Sequence, residues 1–168
     1  AKDVKIQVEF NPLKVKAYRL IGYVNRKMAN EDFNNDKKDA GELGAGHTVT
    51  ALYELIPAGS KEEGPGVDEL KYQKTKATAA ADSNEVMTVK LRYKKPDGAT
   101  SQLLSTPVRD GARLWHETSN NFRFAAAVAA YAMLLKESPH LGDFGYQQVI
   151  ELAFEARGDD PGAYRVEF

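Results

Sequence analysis

The stretch DAGELGAGHTVTALYELI, residues 39–56, decides how the rest of the chain is read. Glycines 41, 44 and 46 fall within six residues, a density tolerated where backbone must turn tightly or approach closely. Thr48–Ile56 follows at once, rich in β-branched and aromatic residues, and Pro57 closes it. Val49, Ala51, Tyr53 and Leu55 share one face of that segment, and Leu52 and Ile56 lie on the other. Apolar residues on both faces predict a central strand over 48–56, covered from both sides.

Outward from this segment the pattern is mostly of period two. Val4, Ile6, Val8 and Phe10 alternate with Lys5, Gln7 and Glu9, which predicts a half-buried strand ended by Asn11–Pro12. A second strand is expected over Val15–Val24, with Gly22 as an internal bulge, then a short helical turn over Arg26–Glu31. Residues 32–39 read as a polar loop, and 58–84 as a long exposed excursion with a short strand at 69–74. Val86–Tyr93 places Met87, Val89, Leu91 and Tyr93 inside, against Thr88, Lys90 and Arg92 outside. The turn Pro96–Asp97–Gly98, with Gly98 in the left-handed position, returns the chain along Thr100–Val108 as a hairpin.

The period then changes. Ser119–Asn120–Asn121 offers capping oxygens, and Phe122–Leu135 is apolar nearly all round, which predicts a buried helix. Ser138–Pro139 stops it. Asp143 is the expected cap of a second helix whose stripe is Tyr146, Val149, Ile150, Ala153 and Phe154, ending at Arg157–Gly158. Residues 159–168 read as a tail. The fold class is therefore α+β in one domain over 1–168. It comprises an antiparallel, sandwich-like sheet part over about 1–108 and a helical part over about 119–158, with helices near 120–136 and 144–157.

Composition narrows the functions. The 168 residues carry 23 basic and 24 acidic side chains, so no basic field exists to hold nucleic acid. No cysteine is present, which removes disulfides, thiol nucleophiles and thiolate metal sites. The longest nearly apolar run, 122–135, is 14 residues, short of the roughly 20 needed to span a bilayer. The chain opens without Met, directly in a strand pattern, which leads us to expect a piece of a longer protein with an incomplete sheet.

Three sites carry candidate chemistry. Asp32, Asn34 and Asp36 have the 1-3-5 spacing of a calcium loop, with Asp39 or Glu42 as further oxygens. Lys37 stands where such a loop needs Gly, and Leu43 where it needs a bidentate Glu, so the competing reading is a solvated polar loop. His47, after the glycine turn, is a candidate binding residue, metal ligand or general base of a hydrolase, against a histidine that only bonds the turn. Trp115, just before the first helix, is a candidate partner anchor, against a ring that seals the helix–sheet boundary. No G-x-S-x-G or H-E-x-x-H motif accompanies them.

The segments AYRLIGY (17–23), DFNNDKKDAGELGAGHTVTALYEL (32–55), LRYK (91–94), FRFAAAVAAYAMLL (122–135) and ARGDDPGAYRVEF (156–168) carry a family resemblance. Together they resemble the C-terminal domain, of unknown function, of bacterial von Willebrand factor type A domain proteins. The resemblance implies an upstream type A domain in the same polypeptide and a periplasmic or cell-surface setting. It supplies no catalytic residue, and the Asp-x-Ser-x-Ser metal motif of the type A domain is absent here. The expected role is a non-catalytic structural or interaction module without cofactor. The alternatives are a calcium-stabilised binding module and, last, a hydrolase centred on His47.

Overall fold

A computed structural model describes residues 1–22, 27–62, 64, 66, 71–72 and 76–168. The expected strand at 69–74 and the C-terminal part of the second strand lie largely outside those residues. The chain forms two compact units. The first comprises Ala1–Arg19, Val24–Val49 and Glu54–Gly111, and the second Leu20–Tyr23, Thr50–Tyr53 and Ala112–Phe168.

The first unit is built on a three-stranded antiparallel sheet. Its strands are β1 (Lys2–Phe10), β4 (Glu85–Lys94) and β5 (Gln102–Arg109), in the order β1-β4-β5. β2 (Val15–Leu20) and β3 (Tyr53–Pro57) form a separate two-stranded sheet. At one end of that pair the Ala58 N–H donates to the Lys14 carbonyl (2.9 Å), and at the other Ile21 donates to Leu52 (2.8 Å), so it too is antiparallel. The second unit holds α1 (Asn120–Leu135), α2 (Tyr146–Glu155) and α3 (Tyr164–Glu167), with α1 packed on α2. Antiparallel sheets followed by two main helices make the fold α+β, as the periodicity indicates.

The organising strand itself is corrected. Residues 48–52 are not in a ladder, and Val49 is 79% exposed. Among the described residues the strand is Tyr53–Pro57, paired with β2, and the central strand of the larger sheet is β4. The reason is the length of the partner. β2 ends at Leu20, and Gly22 turns the chain at φ +105 just beyond it, not inside the strand. Among the described residues no strand pairs with 48–51, which are exposed, and β propensity without a ladder partner does not make a strand.

Four smaller expectations also shift. The helical turn is a 3-10 turn over Asn30–Asn34, which buries Phe33; Arg26 lies outside the described residues. In the β4–β5 turn the Gly98 N–H donates to the Lys95 carbonyl at 2.9 Å. That makes Pro96 the second and Gly98 the fourth residue of the turn, where no positive φ is needed and none is found. The Ser119 side chain caps α1 by accepting from the Phe122 N–H (3.2 Å). α2 begins at Gly145, whose N–H donates to Gln148 Oε1 (2.9 Å), so Asp143 is not its cap. The tail is ordered around Asp160, whose carboxylate accepts the N–H groups of Arg165 and Val166 (2.9 and 3.1 Å) at the start of α3.

Candidate functional site

In the first unit the sheet buries two lysines, Lys5 and Lys94, on one face, while Ile6 and Leu104 on the other face are exposed. Register fixes which residues share a face. Ile6, Leu91 and Leu104 stand in one row across the sheet, with Val8, Val89 and Thr106 in the next, then Phe10, Met87 and Val108. The opposite face carries Lys5, Arg92 and Leu103, then Gln7, Lys90 and Ser105. Lys5 is 4% exposed, whereas Ile6 is 62% exposed. Strict alternation had put the aliphatic face inside.

The cause is the loop over residues 30–40. Lys5 Nζ donates to the carbonyls of Asp32 (3.1 Å) and Asn35 (2.5 Å). Lys94 Nζ donates to the Asp36 carbonyl (2.6 Å) and to Asp3 Oδ2 (2.7 Å). Arg92 lies over the Phe33 ring (5.6 Å to the centroid) and donates to Asn34 Oδ1 (3.0 Å) and Ser101 Oγ (2.9 Å). The aliphatic stems of Lys5 and Lys94 bury against the loop while their ammonium heads meet backbone carbonyls and, for Lys94, the Asp3 carboxylate, which satisfies both requirements at once.

This arrangement answers where the calcium candidates lie. Asp32 pairs with Lys38 (3.3 Å), Asn34 accepts from Arg92, and Asp36 accepts from the Ser101 N–H (3.2 Å) and hydroxyl. The three side chains turn to three different partners and do not converge. Among the described residues no group of three or more His, Asp or Glu side chains could hold a metal ion. Two carboxylates are held below the ordinary range. Asp36 is lowered chiefly by its bond from the Ser101 hydroxyl, and Asp3 chiefly by its bond from the Lys94 ammonium. The signal missed in the sequence was the lysine pair at positions 5 and 94: Lys5 read as the polar face of an alternating strand, and Lys94 fell just past the end of the expected strand 86–93.

His47 is exposed, and its backbone N–H donates to the Gly44 carbonyl (3.3 Å) in a turn where Gly46 takes φ +77. No orienting acid or nucleophile bonds its ring among the described residues. Trp115 is also exposed. It begins a 3-10 turn over Trp115–Glu117 and stacks obliquely on Phe122 (5.8 Å between centroids). The Glu117 carboxylate accepts the Leu114 N–H (2.8 Å) and so holds the turn.

The second unit carries the other exposed apolar surface. α1 is buried only at Ala127 and Ala130, and α2 only at Val149, so α1 is not covered all round. On α2 the turn-to-turn neighbours Ile150 and Phe154 are 61% and 68% exposed, and Tyr146 before them is exposed too. Rings continue the surface: Tyr146 meets Tyr131 (6.3 Å), Tyr131 meets Phe168 (5.4 Å), and Phe168 meets Phe124 (5.6 Å). Tyr131, Tyr146 and Phe168 border a groove of about 330 Å³ that Ile150, Phe154, Arg157 and Arg165 also line. Arg157 lies over Phe154 (5.1 Å) and Arg165 over Phe124 (5.0 Å). Arg165 also donates to the Arg157 carbonyl (2.9 Å) and to Asn121 Oδ1, which ties the end of α2 to the start of α1.

No helix among the described residues is long and apolar enough to cross a membrane. No solved structure matches the chain significantly. An uncharacterized protein of Escherichia coli (strain K12), YfbK, is 43% identical over 169 residues, covering 100% of this chain and 28% of that protein. The chain thus spans a little over a quarter of the length of this relative. The family model described as "Uncharacterized protein YfbK, C-terminal" matches residues 1–168. The chain belongs to the family of YfbK C-terminal domains.

Proposed function

We propose that the domain is a non-catalytic interaction module in a longer polypeptide, docking through its helical unit onto an accompanying von Willebrand factor type A domain. One observation carries this reading: the exposed stripe Tyr146, Ile150, Phe154 with the aromatic groove beside it. Contiguous apolar surface of this kind marks an interaction site on a folded protein. Burying three such side chains is worth roughly 5 kcal/mol before the costs of association. Tethering in one chain reduces that cost, because the partner is held at an effective millimolar concentration. Arg157 at the rim favours a partner surface that sets a carboxylate beside an apolar patch. The resemblance of segments 32–55 and 122–135 is what favours a type A partner and a cell-envelope setting in this reading. The test is Ile150→Asp in the full-length polypeptide, read by limited proteolysis. Faster release of this domain supports docking through α2, and an unchanged rate rejects it.

A further inference from the structure

The larger sheet ends on β5, and among the described residues no strand pairs with the outer edge of β5. The Asn11 N–H donates to the Val86 carbonyl (2.8 Å), which fixes the parity of the ladder. Val86, Thr88, Lys90 and Arg92 address β1, so Met87, Val89, Leu91 and Tyr93 address β5. Their partners Val108, Thr106, Leu104 and Gln102 therefore turn their backbone groups inward. Leu103, Ser105 and Pro107 turn theirs out. Proline lacks an N–H and stands at an outward position, where an edge strand tolerates it. The N–H and C=O of Leu103 and Ser105, and the C=O of Pro107, receive no backbone bond from any described residue.

An edge is normally guarded by lysine, proline, an inward charge or a bulge, and here Pro107 guards only the far end of the segment. Between Gln102 and Thr106 there is none of these, and Leu103 and Leu104 are both about half exposed. β1 is different at its N-terminal end. Val4 bridges to Gly41, and Ala1 and Leu43 exchange two bonds (2.9 and 3.0 Å). The outward groups of β5 recognise an extended backbone, and the length of the matched relative says where one is at hand. About 72% of that relative lies outside the matched part, and the family is described as its C-terminal region, which puts chain N-terminal to the match. From β1 to a strand beyond β5 is three inter-strand steps, about 14 Å, or four to five extended residues. A chain crossing that distance over the aliphatic face covers Ile6, Leu91 and Leu104.

We propose that a strand from the polypeptide N-terminal to this domain pairs with β5 over Leu103–Pro107 and completes the sheet as its fourth strand. The connection of that strand lies over the Ile6–Leu91–Leu104 row. This rests on the reading of the domain as an interaction module of a longer chain. Hydrogen exchange of the full-length polypeptide, resolved to single amides, tests it. The amides of Leu103 and Ser105 are expected to exchange at least about 100-fold more slowly than unstructured amides. Ser105→Pro, which removes only an outward N–H, is expected to lower the melting temperature while Leu104 and Thr106 stay protected. Exchange of Leu103 and Ser105 at unstructured rates, with Leu104 and Thr106 protected, overturns the proposal. Protection that disappears on dilution identifies a second copy as the occupant and overturns it too. If Leu103 and Ser105 exchange freely while the α2 stripe is covered, the added strand alone is wrong. If both surfaces are free, the module reading fails with it.

Discussion

Replacing Lys5 by methionine tests the inward lysine directly. Methionine keeps the length and most of the volume of the stem, so no cavity opens and the packing against the loop is retained. The ammonium is lost, and with it two bonds to the carbonyls of Asp32 and Asn35. Hydrogen bonds to a charged group are worth about 1.5–3 kcal/mol each, and carbonyls left dry cost a comparable amount. Regained desolvation energy of the buried lysine offsets part of this. The net loss is set at about 3 kcal/mol. A buried ion pair can be exchanged for apolar groups with little loss because both partners change. Here the acceptors are backbone carbonyls, which no substitution removes. The control is Lys90→Met, on the same face as Lys5 but paired at 2.9 Å with a Glu9 side chain that is 67% exposed. That change is expected to cost less than about 1 kcal/mol. Urea denaturation with a shared slope gives both values. On melting, Lys5→Met is expected to lose about 10 °C at this chain length. If Lys5→Met costs no more than Lys90→Met, the loop is not held by the buried ammonium and the inverted sheet face has another cause.

Other expectations follow from the same geometry. Millimolar calcium is expected to leave the melting temperature unchanged, since Asp32, Asn34 and Asp36 are engaged separately; a rise of about 3 °C or more marks a real site. Asp3 and Asp36 both have folded values lowered from 3.8, so their stabilisation is complete above that pH and is lost as pH falls through the lower folded values. Loosening of the 30–40 loop in acid titration is therefore expected to begin only below about 3.8, and Ser101→Ala is expected to move the Asp36 titration upward by NMR. Gly158→Ala places a Cβ at φ +58 and 2.7 Å from Asn120 Nδ2, and is expected to destabilise the helical unit by about 1–2 kcal/mol in thermal denaturation. An unchanged melting curve contradicts that reading of the α2 end.

Much of the fold was legible because several segments pair with neighbours close in sequence. The β4–β5 hairpin shows its period and its turn, and α1 shows its Ser119 cap, so both stand within a few residues of expectation. Segment 48–56 was misread because period two reports what a strand could bury, not whether a partner lies beside it. The candidate site was harder still. Lys5 and Lys94 meet carbonyls of residues 32–36, contacts 27 to 58 positions apart that no local pattern encodes. The same distance hid Arg165, which sits in an apparent tail and bonds Asn121, 44 positions away. The stripe Tyr146, Val149, Ile150, Ala153, Phe154 was visible as a stripe, but only packing shows that Val149 is buried and Ile150 and Phe154 are not.

Hydroxyl-radical footprinting of the full-length polypeptide tests the docking surface most directly. With intrinsic reactivity divided out, Tyr146, Ile150 and Phe154 are expected to be modified several-fold more slowly than Tyr72, which is 89% exposed. Modification of all three at the rate their exposure in this domain alone implies would contradict the reading of the helical face as a covered interface.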